Sequence, residues 1–255
     1  MAVPATQVFA RPLPPGLAAS EAPGPSSAIL QQQAAVAAIS ARSQGAATRL
    51  VGLAHLADFQ AIIVGRSGGL RRARDLRDRR IGLPATALQS GSPRVHALRG
   101  AIAVLESEGL FFRHVQWVDL PPAAAVSLTL PSAYTEELAA LRAGAVDAVY
   151  VRGPAGLEAA RAADTRLLFD IGANRDPWIR AHSALLQAVT VSETLYGEHP
   201  EFVSEVLERW PHLPARRHLD ETGVGALETL KTFMLRWAFI HADFKMDSWA
   251  QRSGH

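Results

Sequence analysis

Two hydrophobic rhythms alternate along this chain. Short apolar runs bounded by glycine, proline or charge are followed by longer stretches whose apolar residues recur three and four apart. The first rhythm reads as buried strand and the second as helix packed on one side. Residues 49–55 (RLVGLAH), 60–65 (QAIIVG) and 80–84 (RIGLP) are strands on this reading. Residues 114–120, 145–151, 165–171 and 188–192 follow as further strands. Helices are predicted from Ser27 to about Arg42, on a face of Ile29, Leu30, Val36 and Ile39, and from Ser92 to Gly109, on a face of Val95, Leu98, Ile102 and Leu105. Three more run from Thr135 to Ala143, stopped by Gly144, from Pro200 onward, and from about Val224 to Ile240 with Leu227, Leu230, Met234 and Trp237 facing inward. Strands and helices alternating at this spacing predict an α/β fold with parallel sheets covered on both faces.

Composition narrows the picture. Apolar residues make up 48% and charged residues 20%, which suits a globular protein with a substantial core. The net charge of +2 is small, and the densest basic run, residues 70–80 (LRRARDLRDRR), has no interleaved aromatics for stacking bases, so no nucleic acid is expected. No apolar run approaches the ~20 residues of a helical span, so no membrane crossing is expected. The chain contains no cysteine, which excludes disulfides, thiolate metal sites and thiol nucleophiles. Residues 1–29 are rich in alanine and proline without a usable period and read as disordered. They also lack the basic-then-apolar order of a secretory leader.

The strongest local chemistry is the segment Gln89-Ser90-Gly91-Ser92-Pro93, where a strand gives way to a helix. A helix start presents free N–H groups and a partial positive charge. Ser90 and Ser92 add hydroxyls, and Gly91 lets the backbone come close; an ordinary helix cap needs Ser92 alone. Arg152 stands just past a strand, at the carboxyl end where open α/β sheets place ligands, and its guanidinium suits a sulfonate, carboxylate or phosphate. Tyr150 and the backbone of Gly153 are lesser candidates beside it. Arg66-Ser67-Gly68-Gly69 forms either a third wall or a surface turn. Asn174, Trp178 and His182 lie where a crossing segment brings side chains to a cleft. The nine histidines are scattered without metal spacing, and the pair Glu136-Glu137 reads as an exposed helix face. No catalytic constellation, metal site or cofactor motif is present in this reading.

These segments together resemble a known family. ARDLRDRRIGLP, the Ser-Gly-Ser loop and helix, AGAVDAVYV and SETLYGEHPEFVSEVL are similar to the sulfonate, taurine and nitrate substrate-binding proteins of ABC transporters, the group that includes thiamin-pyrimidine synthase. RLVGLAHLADFQAIIV and FMLRWAFIHADFKMDSWA resemble the aryl-sulfinate desulfinase branch of that fold. The resemblance implies a two-lobed, periplasmic-binding-protein-like (type II) α/β fold closing on a small organic anion. Lobe one would combine residues 30–71 with 179–255, and lobe two would span 72–178 and hold the anion. The Ser90-Gly91-Ser92 loop matches the family's anion-binding helix start, and Arg152 stands where relatives often carry an aromatic residue.

Two departures accompany the likeness. The family opens with a cleft-lining strand that residues 1–48 do not supply, so lobe one is expected to lack it through a truncated or rewritten N-terminus. The desulfinases share an essential cysteine, which is absent here, and this chain's Arg66-to-Gly69 element follows a different strand from theirs. The resemblance therefore implies anion binding, with an ABC permease as a partner, rather than catalysis. A desulfinase-like hydrolase and an inactive remnant are the alternatives. The family implies an extracytoplasmic location, while the missing leader pattern suits the cytoplasm equally.

Overall fold

The computed structural model describes residues 7–8, 30–85, 93–121, 134–209 and 219–250. The chain divides into two compact units, Met1–Leu56 with Leu186–His255, and Ala57–Leu185. The sequence reading set the boundary at residue 71. The physical boundary precedes the strand Gln60–Gly65, because that strand pairs within the second unit's sheet.

The first unit is built on a four-stranded sheet. Its strands are β1 (Gln7–Val8), β2 (Gln31–Ala34), β3 (Thr48–Leu56) and β9 (Leu185–Ser192), in the order β1-β2-β9-β3. Helix α1 spans Ala35–Ser43, so the helix expected from Ser27 starts later, and β2 stands ahead of it where residues 1–48 were expected to supply no first strand. The reason is pairing. Gln31 to Ala34 lie antiparallel to Thr190 to Gln187, and the buried Gln32 amide donates to Gln187 Oε1 at 2.7 Å. Cross-strand partners outweigh the modest helix preference of three glutamines. Ser27 itself lies outside the described residues.

Around this sheet stand α6 (Glu193–Glu198), α7 (Pro200–Arg209), α8 (Glu221–Arg236) and the short α9 (Met246–Trp249). Leu30, Val51, Val189, Val191, Leu195 and Val203 form one core cluster. Asp220 caps α8 by accepting from the Gly223 N–H at 2.8 Å, which starts the helix ahead of the predicted Val224. It ends at Arg236, leaving Trp237 as its C-cap and only partly buried.

The second unit is a five-stranded sheet in the order β6-β5-β7-β4-β8: Gln116–Leu120, Arg80–Pro84, Ala148–Arg152, Gln60–Gly65 and Thr165–Asp170. β5 runs parallel to β6 and β7, whereas β4 is antiparallel to both β7 and β8. The all-parallel expectation therefore fails at β4. Its residues Ala61 to Val64 are all buried, and a run that is apolar on both faces carries no directional signal.

Side-chain alternation assigns the two faces of this sheet. Ala61, Ile63, Val149 and Val151 join Tyr134, Leu141, Ala155 and Ala159 in a cluster beneath α3 (Thr135–Arg142) and α4 (Gly153–Arg161). Tyr150 and Arg152 project to the opposite face, where α2 (Pro93–Ser107) lies and α5 (Pro177–Ser183) packs against it. Gly109 at φ 69° and Gly144 at φ 64° terminate α2 and α3 as the sequence predicted. One surface assignment is corrected. Glu137 is 8% exposed, with Oε2 buried and unpartnered, because α3 turns this side of its first turn toward the sheet.

Candidate functional site

All the parallel strands of the second unit end at one edge. β5, β6, β7 and β8 share a direction, so their carboxyl ends meet the start of the opposed β4. In open α/β sheets this is the edge where ligands sit.

Arg152 is the last residue of β7, directly opposite Gln60 at the start of β4. Its backbone is doubly held: its N–H donates to the Tyr134 hydroxyl at 2.8 Å, and that hydroxyl donates to its carbonyl at 3.1 Å. Burial pushes the Tyr134 phenol up to about 12, so it stays a neutral hydroxyl. The next residue, Gly153, has φ 69° and donates its N–H to Phe59 O at 2.8 Å. A Cβ there would stand 3.2 Å from Asp58 Oδ2. Half-buried Asp58 has its pKa raised by burial, against the opposing pull of Arg152 and the Phe59 N–H. Among the described residues the Arg152 guanidinium has no hydrogen-bonded or ion-paired partner.

Helix α2 covers the other side of this corner. A Cβ on Gly100 would meet Tyr150 Cε2 at 2.5 Å, so glycine lets the helix lie directly on the tyrosine ring. Tyr150 is 5% exposed and its hydroxyl donates to Gln60 Oε1 at 2.8 Å. One turn before Gly100, on the same helix face, is His96. One side-chain step beyond Tyr150, on the same strand face, is Arg152. The two advances are of similar length, about 6 Å each, so His96 is set against Arg152 as Gly100 is set against Tyr150. His96 is 5% exposed and its Nε2 has no hydrogen-bond partner. Burial, then the charges of Arg152 and Arg99, hold its pKa well below the usual histidine range, so the ring is neutral.

Arg99 completes the corner differently. Its guanidinium, 3% exposed, donates to Ala184 O at 2.7 Å and Ala181 O at 3.0 Å, binding the C-terminal end of α5. Burial lowers its pKa to about 10, and it remains a cation at neutral pH. The site thus combines one uncommitted guanidinium, one uncommitted imidazole and a neutral hydroxyl network. Among the described residues no group of three histidine or acidic side chains forms a metal site.

The sequence-predicted residues distribute unevenly around it. Arg152 and Tyr150 belong to the corner, Tyr150 as a buried support rather than an open wall. Asn174 follows β8 at the same edge, where its Oδ1 accepts from the Asp176 N–H at 2.8 Å. Trp178 and His182 stack on each other at 3.7 Å on α5. Arg66 is not brought in. It follows the far end of β4, about 20 Å along the strand from Gln60, and its Nε donates to Ala163 O at 2.8 Å. Ser90, Gly91 and Ser92 lie outside the described residues.

Asp58, Gln60, His96 and Tyr134 were not anticipated. A signal for His96 was present: residues 95–105 are buried on every side, and His96 and Arg99 are polar intrusions three apart in that stretch.

No family model matches the chain, and no curated protein matches it. Solved structures do. A cysteine-to-serine variant of the desulfurization enzyme DszB, in complex with biphenyl-2-sulfinic acid, is 20% identical and superposes with a TM-score of 0.64 over 88% of this chain and 83% of that one. DszB itself gives 21% identity and a TM-score of 0.60 over 87% and 83%. A periplasmic sulfonate-binding protein of a sulfonate ABC transporter, SsuA from Methylobacillus flagellatus KT, gives 14% identity and 0.58 over 84% and 69%. The fold is that of the two-lobed periplasmic-binding-like proteins. The resemblance read from the sequence, to sulfonate-binding proteins with a desulfinase branch, is thereby met at the level of structure. At these identities the likeness establishes the fold.

Proposed function

We propose that the protein binds a small organic anion, a sulfonate, sulfinate or similar group, at the carboxyl edge of the Ala57–Leu185 sheet. The observation that carries this is the Arg152 guanidinium. It stands at the ligand edge with its backbone clamped by Tyr134, and no partner among the described residues occupies its donors. A forked cation in that state suits a group with two acceptor oxygens. Ser90 and Ser92 are proposed as further donors to the same anion. In this reading the protein is a substrate-binding-like protein of the ABC-transporter type, and a permease is its proposed partner. The likeness to DszB favours a second reading, hydrolysis of an aryl sulfinate, but a chain with no cysteine lacks a thiol nucleophile for it.

The test is titration calorimetry with biphenyl-2-sulfinate and methanesulfonate. Arg152→Ala is expected to weaken the better probe by roughly 10- to 100-fold, the worth of a charge-assisted pair. Thermal stability should change by less than about 1 kcal/mol, because among the described residues the side chain makes no hydrogen bond and only offsets part of the burial of Asp58. Unchanged affinity would remove Arg152 from the site. Sulfite release by the purified protein would favour the hydrolytic reading.

A further inference from the structure

We infer that His96 is a second contact to the bound anion and takes up one proton when the anion arrives. The inference rests on the anion-binding reading above and adds to it a residue, a protonation state and a pH dependence.

A buried polar atom without a partner is costly, and native proteins satisfy nearly all of them. His96 Nε2 has no partner, although the residue is only 5% exposed. It sits in the first turns of α2, a fifteen-residue helix whose N-terminal end meets the sheet's ligand edge. The Gly100–Tyr150 contact fixes the register that sets it against Arg152. An anion held by Arg152 supplies what Nε2 lacks, an acceptor for an imidazole N–H.

The charges around His96 set its protonation state. β7 brings Arg152 and the Tyr150 phenol, whose hydroxyl is engaged by Gln60. Its own helix brings Arg99, held by α5 carbonyls, and Arg94, paired with Asp119 at 2.6 Å. α5 brings exposed Arg180 and His182, the latter with Nδ1 engaged by Trp178 O at 2.9 Å. β5 and the 3-10 turn Ala73–Leu76 bring Arg80 and Arg74, paired with Asp147 and Glu108. Ahead of β4 stands Asp58, a half-buried carboxylate near Arg152. In this setting burial and the nearby cations keep His96 neutral. A bound anion reverses the local charge and stabilises the imidazolium, with the proton drawn from solvent.

The experiment is calorimetry with biphenyl-2-sulfinate between pH 5 and 8, in bis-tris and in imidazole, buffers that carry no competing sulfonate. The expected affinity tightens by up to tenfold per pH unit as pH falls, with a buffer-dependent heat showing uptake of one proton. His96→Gln should flatten that dependence, with the largest loss of affinity at pH 5 and the smallest at pH 8. Independently of any variant, the nitrogen-15 spectrum of the His96 ring should report a neutral imidazole in the free protein at pH 6 and an imidazolium after the probe is added. Binding with a flat pH profile and an unchanged ring would overturn the inference and leave the anion site standing. An unaltered slope in His96→Gln would place the proton elsewhere and equally overturn it. No binding of either probe by the wild-type chain would fail the anion-binding reading first, and this inference with it.

Discussion

Two buried basic side chains, one in each unit, are treated in opposite ways. Lys231 of α8, in the first unit, borders a depression of about 600 Å³ lined also by Glu221, Phe244 and Lys245. Its ammonium donates to Phe244 O at 2.6 Å and pairs with Asp243 at 2.7 Å and Glu228 at 2.9 Å. All three of its N–H bonds have acceptors, and although burial pulls its pKa down, Asp243 and Glu228 outweigh that and leave it raised. His96, in the second unit, has an unpartnered Nε2 and neighbouring cations that hold it neutral. The first arrangement consumes its charges internally and ties α8 to the segment before α9. The second holds hydrogen-bonding capacity in reserve at the edge proposed to bind the anion. The accounting of donors and acceptors separates a structural cluster from the proposed site.

The sharpest way to break this contrast is to remove each side chain in turn. Lys231→Met should destabilise the protein by about 2 kcal/mol, since it leaves the Phe244 carbonyl without its donor and two exposed carboxylates without their shared cation. His96→Leu, measured by the same urea unfolding at pH 7.5, should cost less than about 1 kcal/mol or stabilise slightly, because among the described residues His96 Nε2 has no bond to lose. Equal losses in both variants would erase the distinction between committed and reserve groups.

A second test uses pH and no ligand. The native state keeps His96 neutral while the unfolded chain protonates it near the ordinary value of 6.5. Below that pH the unfolded state binds the additional proton, so stability declines as pH falls, by about 1.4 kcal/mol per unit from this residue. The decline continues until the depressed native pKa is reached, and it should be absent from the difference between wild type and His96→Leu above pH 7. Unfolding curves at pH 7.5, 6.5 and 5.5 read it directly. Parallel losses in the two proteins across that range would mean that His96 is not a buried neutral base.

Much of this corner was legible in the sequence, and the limits are instructive. QAIIVG and RIGLP are strands at the predicted residues because apolar runs bracketed by polar or turn-forming residues leave little freedom in their ends. Arg152 falls at a strand's carboxyl end as expected. The direction of β4 was hidden because both of its faces are apolar. The strand at Gln31–Ala34 was hidden because its stability comes from residues Gln187 to Thr190, more than 150 positions away in the chain (Gln32 and Gln187 differ by 155). The role of His96 depends on the register between α2 and β7, fixed by Gly100 on the Tyr150 ring, and no local pattern encodes that contact.

Glu137 extends the contrast to a buried acid and sets its smallest test. Its sequence neighbour Glu136 is only partly buried, and an acidic pair at the start of a helix ordinarily sits in solvent. Here α3 buries Glu137 with Oε2 unpartnered; burial, and then the nearby charge of Glu136, raise its pKa, although its own backbone N–H opposes this. Because the native state holds this proton more tightly than the unfolded chain, its contribution to stability is full below the ordinary value of 4.5 and is lost as pH rises through the raised native pKa. Glu137→Gln removes the ionisation and keeps the shape. It should raise stability at pH 7 by less than about 1 kcal/mol, a gain that shrinks as pH approaches 4.5. Unlike His96, Glu137 lies beneath the sheet among the α3 and α4 contacts, away from the α2 face that carries Arg152, so the substitution should leave anion affinity unchanged. A stability gain with intact affinity would mark Glu137 as an unmet bond of the core, whereas lost affinity would extend the site through the sheet to its other face.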